Sequence, residues 1–165
     1  VQPGFGRLGA TAEKPSLWGF VRHGLNPDLV TIGKPMANGL PVAGLVARRP
    51  LMAAFGERVR YFNTFAGTPV SVAAARATWE VLHDEGLPQH AGAVGAALLG
   101  MLRELTARHP RLRDPRGAGL YLGVDVVDPA TGLPDQPAAT ALVSGLRERR
   151  ILISASGRDN AALKI

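Results

Sequence analysis

NPDLVTIGKPMANGLP, residues 26–41, is the stretch on which the fold turns. Its first part, Asp28 to Ile32, is a short apolar run that reads as a strand, and it delivers the chain to Gly33-Lys34-Pro35. Lysine is scarce here, with Lys14, Lys34 and Lys164 the only three in 165 residues. On generic grounds Lys34 is a solvated loop lysine, because charged side chains on loops are normally exposed. It is not the lysine of a phosphate-binding P-loop. The first glycine of that pattern would have to stand at Asp28, and a serine or threonine would have to follow where Pro35 stands.

Outward from this stretch, VAGLVA (residues 42–47) reads as a second strand. The first 68 residues, rich in glycine and proline, read as loop-dominated. At Thr68-Pro69 the character changes. Threonine suits an N-cap and proline the first helical position, and Val70, Ala73, Ala74, Ala77 and Val81 recur at helical spacing, which predicts a helix of about four turns toward Asp84 with that stripe in the core. Gly86 interrupts it. Leu87, Ala91, Val94, Leu98, Met101, Leu102 and Leu105 then predict a second helix that ends before Pro110. Beyond it, GLYLGVDVV (residues 119–127) reads as a strand and PAATALVSGLRERR (137–150) as an amphipathic helix. ILIS (151–154) and LKI (163–165) are short strand candidates. The pattern is a small α/β lobe, with a boundary between residues 69 and 87. Both ends read as cut: Val1 opens directly into a loop motif, and Ile165 stops inside a strand-like run.

Composition narrows the function classes. With 46% apolar and 19% charged residues the chain reads as a soluble globular protein. No apolar run approaches the ~18 residues of a membrane span, and the first residues lack the pattern of a signal peptide, so a cytoplasmic protein is expected. The chain has no cysteine, which excludes disulfides, thiolate metal sites and cysteine nucleophiles. The net charge of +6 is carried by arginines scattered along the chain beside acids, as in GERVR and LRERR, with no basic run interleaved with aromatics. Neither nucleic acid nor a membrane is an expected partner.

Several motifs fail on context. GFGRLG (residues 4–9) fits the dinucleotide G-x-G-x-x-G spacing, but only three residues precede it and ATAEKP follows, so a glycine-rich loop is the better reading. No histidine pair has the spacing of a helical metal site, and no serine sits in a G-x-S-x-G elbow. No metal is expected, and His23, His83, His90 and His109 read as surface or helix-end residues.

VQPGFGRLG (1–9), NPDLVTIGKPMANGLP (26–41) and YFNTFAGTPVS (61–71), taken together, resemble the class III aminotransferases, pyridoxal-phosphate enzymes of fold type I. The resemblance covers essentially the whole chain. Its core is an aspartate six residues before the lysine, a glycine just before it, and Asn38-Gly39 four and five after it. The resemblance implies an α/β fold, the second half of the large domain followed by a small C-terminal lobe. Residues 1–80 would then belong to the large cofactor-binding domain with its lysine loop, and 81–165 to the small domain, incomplete at its end. It implies pyridoxal 5'-phosphate as cofactor, held as a Schiff base on Lys34. Once freed, that amine would move the proton between substrate and cofactor carbons. The chemistry agrees, since a lysine becomes nucleophilic where desolvation and a neighbouring cation disfavour its ammonium.

The same resemblance places Gln2 near the ring hydroxyl of the cofactor, and Thr64 on the cofactor phosphate of a neighbouring subunit, hence a homodimer. Gln2 also reads as an ordinary loop glutamine, and Thr68 as a simple helix cap. The family more often has two glycines and an asparagine where Ala66, Gly67 and Thr68 stand. The aspartate that pairs with the pyridine nitrogen would lie before Val1, as would the phosphate-binding turn and the ring-stacking aromatic. The arginine often used for a substrate carboxylate would lie beyond Ile165. KPMANGLPVA, YFNTFAGTPVS and RILISASGRDNAALKI further resemble the branch that includes ethanolamine-phosphate phospho-lyase and kinase-fused aminotransferases. The expected function is amino-group transfer from a small amine or amino acid to a keto acid, by a chain that alone is an inactive fragment. The alternatives are a phospho-lyase acting on a phosphorylated amine such as ethanolamine phosphate, with Arg7, Arg22 and Arg158 available for the leaving phosphate, and a non-catalytic fragment or dimerisation lobe.

Overall fold

The apolar run after Asp28 becomes strand β1 (Leu29–Ile32), which pairs antiparallel with β2 (Gly44–Ala47) from Leu29↔Ala47 to Ile32↔Gly44. Arg48 closes the open end of this hairpin twice, its N–H donating to the Asp28 carbonyl at 3.1 Å and its Nε to Asp28 Oδ1 at 2.8 Å. The computed structural model describes residues 18–165 of the chain, so Gln2, Arg7 and the glycine-rich loop at 4–9 lie outside the described residues. The chain divides into two compact units, the first ending at His90 and the second running from Ala91 to Ile165.

In the first unit, the short helix α1 (Gly19–Arg22) precedes the hairpin, and α2 (Arg49–Arg58) and α3 (Pro69–Asp84) follow it. Helix α2 corrects the loop-dominated reading of this region. Its apolar residues Leu51 to Phe55 are consecutive rather than spaced by three and four, and none is buried, so no stripe marks it. Helix α3 has the predicted bounds, and Gly86 stops it with φ +60°, a left-handed conformation that glycine adopts without strain. The expected buried stripe is corrected. Val70, Ala73, Ala77 and Val81 are exposed, whereas Ser71, Ala74, Ala75, Thr78 and Leu82 form the withdrawn face, displaced by one position around the helix. Thr68 stands at the N-cap position, but its hydroxyl donates to the Phe65 carbonyl at 2.8 Å instead of accepting from the helix.

Helix α4 (Leu87–Arg108) begins directly after Gly86. The second unit is built on a four-stranded antiparallel sheet of order β3-β4-β6-β5, with β3 Leu112–Ala118, β4 Tyr121–Val126, β5 Ser154–Ser156 and β6 Ala162–Lys164. Strand β4 alternates as its sequence predicts, putting Leu122, Val124 and Val126 on one buried face. Leu98, Leu99, Leu102 and Leu105 of α4 pack against Leu122 and Val124, while Ala138, Ala139 and Val143 of α5 (Gln136–Glu148) cluster with Val126 and Leu163. Met101 and Val94, expected in the α4 stripe, are exposed.

Gly95 lets α4 approach the β3–β4 turn so closely that an added Cβ would lie 2.0 Å from the Gly119 carbonyl oxygen. Strand β3 gives no sequence signal, because its centre is a bulge between Arg113 and Arg116 holding Asp114 at φ +48° and Pro115. Strand β5 starts at Ser154, so most of the ILIS candidate precedes it, with Leu152 88% exposed. No helix among the described residues is long and apolar enough to cross a membrane, and no group of three or more His, Asp or Glu among them could hold a metal ion.

Candidate functional site

Strand β1 ends by handing the chain to Lys34, the first residue of a single 3-10 turn, Lys34–Ala37. Lys34 is exposed and has φ +56°, in the left-handed region that a residue with a Cβ enters at a cost of about 1–3 kcal/mol. Pro35 follows at once, so the backbone here has little freedom on either side. The turn ends with Ala37, 2% exposed, and the element as a whole packs against α3.

Asn38 and Gly39 then both take positive φ, +48° and +117°, and the Leu40 N–H donates to the Ala37 carbonyl at 3.2 Å. Two central residues of positive φ closed by such a bond are the mark of a type I′ turn, for which Asn-Gly is the preferred dipeptide. The Asn38 N–H also donates to the Pro35 carbonyl at 3.0 Å. Lys34 is thus mounted between a strand clamped by Asp28-Arg48 and a turn seated on a helix. Asp28 serves the hairpin by pairing with Arg48, a role that its spacing from the lysine did not disclose.

Thr64 lies in the turn that leads into α3, and it is exposed. Asn63 shapes that turn, accepting from Phe65 N–H at Oδ1 (3.1 Å) and from Ala66 N–H at its carbonyl (3.2 Å), while its Nδ2 donates to the Tyr61 hydroxyl at 3.3 Å. Gly67 has φ +68°. Phe62 and Phe65 are 84% and 82% exposed, so this loop presents aromatic surface beside the Thr64 hydroxyl. Lys34 and Thr64 both belong to the first unit and both adjoin α3, one through the 3-10 turn and the other through the loop before Pro69. Arg22 is in the last turn of α1, and Arg158 lies in the second unit, 92% exposed and 3.7 Å from Asp159.

Nothing in the sequence singles out Ala37 and Ser71, the buried small residues of the turn and of α3. The Asn-Gly dipeptide was the one local signal of the tight turn that buries Ala37.

A profile of the family described as aminotransferase class-III matches residues 1–163. The chain is 41% identical over 167 residues to ethanolamine-phosphate phospho-lyase homolog 1 of Caenorhabditis elegans, covering 100% of this chain and 35% of the relative. It is 38% identical over 168 residues to an alanine–glyoxylate aminotransferase 2-like protein of Drosophila melanogaster, covering 100% of this chain and 33% of the relative. Among solved structures it superimposes on a phospholyase from Arthrobacter in complex with phosphoethanolamine with a TM-score of 0.92 at 36% identity, covering 100% of this chain and 38% of the other. The chain therefore spans about a third of the length of the curated relatives it matches.

Proposed function

The chain belongs to the class III aminotransferase family, of fold type I, and from that membership we propose that it is the lysine-bearing part of a pyridoxal-5'-phosphate-dependent aminotransferase. The observation that carries the reading is the setting of Lys34, an exposed amine on a braced, left-handed turn within the family match. Two described residues suit the cofactor chemically. The Lys34 amine matches its aldehyde, and the Thr64 hydroxyl is a donor suited to its phosphate. When bound, pyridoxal phosphate supplies an electron sink for the bond broken at the substrate carbon.

The residues of this chain do the rest. Lys34 Nζ would hold the cofactor covalently and, once displaced by the substrate amine, would take the proton from the substrate carbon and deliver it to the cofactor carbon. Thr64 would help hold the phosphate of a partner subunit's cofactor, which makes a homodimer part of the proposal, and Gln2 is the residue proposed for the cofactor's ring hydroxyl. The described residues leave Lys34 open to solvent, so the dry surroundings that favour a neutral amine must be completed by other parts of the whole enzyme. The proposed substrates are a small amine or amino acid and a keto acid, and the proposed setting is cytoplasmic.

A second reading has a specific observation behind it, for the 41% identity and the 0.92 TM-score are both to proteins named phospho-lyases. Lys34 would begin that reaction identically, by taking a proton from the substrate carbon, and phosphate would then leave. One assay on the complete parent enzyme separates the two. Amine consumption that requires a keto acid marks the aminotransferase, and keto-acid-independent phosphate release from ethanolamine phosphate marks the lyase. Lys34→Ala should abolish either activity, by at least about a thousandfold for loss of a covalent catalytic group. Wild-type turnover by that variant contradicts both readings.

A further inference from the structure

Three positive-φ residues stand within six positions, Lys34, Asn38 and Gly39, and only one is glycine. A left-handed conformation at a residue bearing a Cβ persists only where its surroundings over-determine it. At Lys34 the surroundings are identifiable. Upstream, β1 is fixed by pairing with β2, and downstream Pro35 to Ala37 form the 3-10 turn whose last residue is buried. Ala37 is held by packing of its element against α3, by the Asn38 N–H on the Pro35 carbonyl, and by the turn after it, closed by the Leu40 N–H on the Ala37 carbonyl. If Asn38 leaves the left-handed region, the Leu40 N–H no longer reaches the Ala37 carbonyl, the turn opens, and the seating of Ala37, with it the downstream constraint on φ at Lys34, is loosened.

We propose that Asn38 is a positioning residue for the Lys34 amine: by occupying the left-handed region next to Gly39 it seats Ala37 and locks the backbone from which the lysine side chain departs. The inference rests on Lys34 being the cofactor lysine. The direction of a side chain follows from backbone φ and ψ. A Lys34 relaxed into the ordinary extended region would therefore project its chain along a different vector, and the flexible methylenes would recover the amine position only at the cost of order. The contribution of Asn38 is conformational, so its amide chemistry is dispensable and its ability to adopt positive φ is not. Asparagine and glycine visit that region readily and β-branched residues do not.

The test uses the complete parent enzyme, loaded with pyridoxal phosphate, with variants Asn38→Gly and Asn38→Val. Three quantities are read: the fraction of bound cofactor that borohydride fixes to Lys34, the pH midpoint of the absorbance of the lysine-bound cofactor, and the melting temperature of the cofactor-free protein. Asn38→Gly should match wild type in the first two. Asn38→Val should lose about tenfold in fixation per bound cofactor and shift the pH midpoint, the size expected for a displaced reacting group, while remaining folded.

Normal fixation and an unshifted midpoint in Asn38→Val would overturn the proposal, and so would an Asn38→Gly variant as defective as Asn38→Val. If Asn38→Val does not fold, Asn38→Ala replaces it, with a smaller loss and shift expected and wild-type values overturning the idea. Wild-type enzyme that is not fixed at Lys34 would sink the cofactor-lysine assignment itself. Wild-type fixation with an indifferent Asn38→Val removes only the role of Asn38.

Discussion

Gly95 shows what a single missing methyl can decide. Its helix lies so close to Gly119 that a Cβ would overlap a backbone carbonyl rather than a side chain able to turn away. Gly95→Ala should therefore destabilise the chain by about 3 kcal/mol, seen as a lower urea midpoint, because the helix and the β3–β4 turn must separate to admit it. Arg150 is the opposite case. It sits at φ +63° just past α5, where its N–H donates to the Arg147 carbonyl and the Ile151 N–H reaches the Leu146 carbonyl, both at 2.9 Å. This is the Schellman pattern, with arginine in the place where glycine is favoured. Arg150→Gly should raise stability by about 1 kcal/mol, and an unchanged or lower melting temperature would contradict that account. Lys34 has the same backbone sign, but there the strain supports the mounting of an amine instead of ending a helix.

At the scale of elements, the long helices were legible because their periodicity and stop signals coincide. Pro69, Gly86 and Pro110 bracket α3 and α4 as the sequence predicts. The inward face of α3 was misread, since the apolar stripe and the withdrawn face differ by one position: the buried face is small, Ser71 to Thr78, and the larger Val70 and Val81 point to solvent. Size, not hydrophobicity, sets how closely the Lys34 turn can approach that helix.

Strand β3 was invisible because its proline and its left-handed aspartate sit in a bulge. There Arg116 bridges Asp114 at 3.0 Å and Asp125 at 2.7 Å. The hydrogen bond to Asp125 is the main cause that raises the Arg116 guanidinium above its ordinary value. A raised folded-state value means that its contribution is complete at any pH below the ordinary arginine range and is lost only as pH climbs through the still higher folded value, so the arginine introduces no pH dependence near neutrality.

Helix α5 begins with a true cap, Asp135, whose Oδ1 accepts the Ala138 N–H at 3.0 Å while Oδ2 accepts from Arg111. Asp135→Ala should cost about 1–2 kcal/mol by chemical denaturation, and Asp135→Asn should recover most of the cap. Equal losses in the two variants would show that the Arg111 pairing, not the cap, is the larger contribution.

At the scale of the whole molecule, the chain comprises two compact units and about a third of the length of its curated relatives. The lysine loop was legible only as a pattern, because a single lysine in a loop has no intrinsic signature. The family's arrangement of aspartate, glycine and Asn-Gly around it supplied the meaning, and the described structure adds why that arrangement is needed. Asp28 locks the hairpin, Asn38-Gly39 make the turn, and Ala37 seats it. Gln2 lies outside the described residues, and the role proposed for Thr64 is at the cofactor of a second subunit.

The central claim is that Lys34 is the cofactor lysine, and reductive trapping tests it most directly. The chain is incubated with pyridoxal phosphate, reduced with borohydride and mapped by mass spectrometry, with only Lys14, Lys164 and the terminal amine competing. Dominant labelling at Lys34 is expected in the complete parent enzyme, and Lys34 is the preferred position in the 165-residue chain as well. Labelling of the parent enzyme at another lysine, with Lys34 unmodified, would contradict the claim.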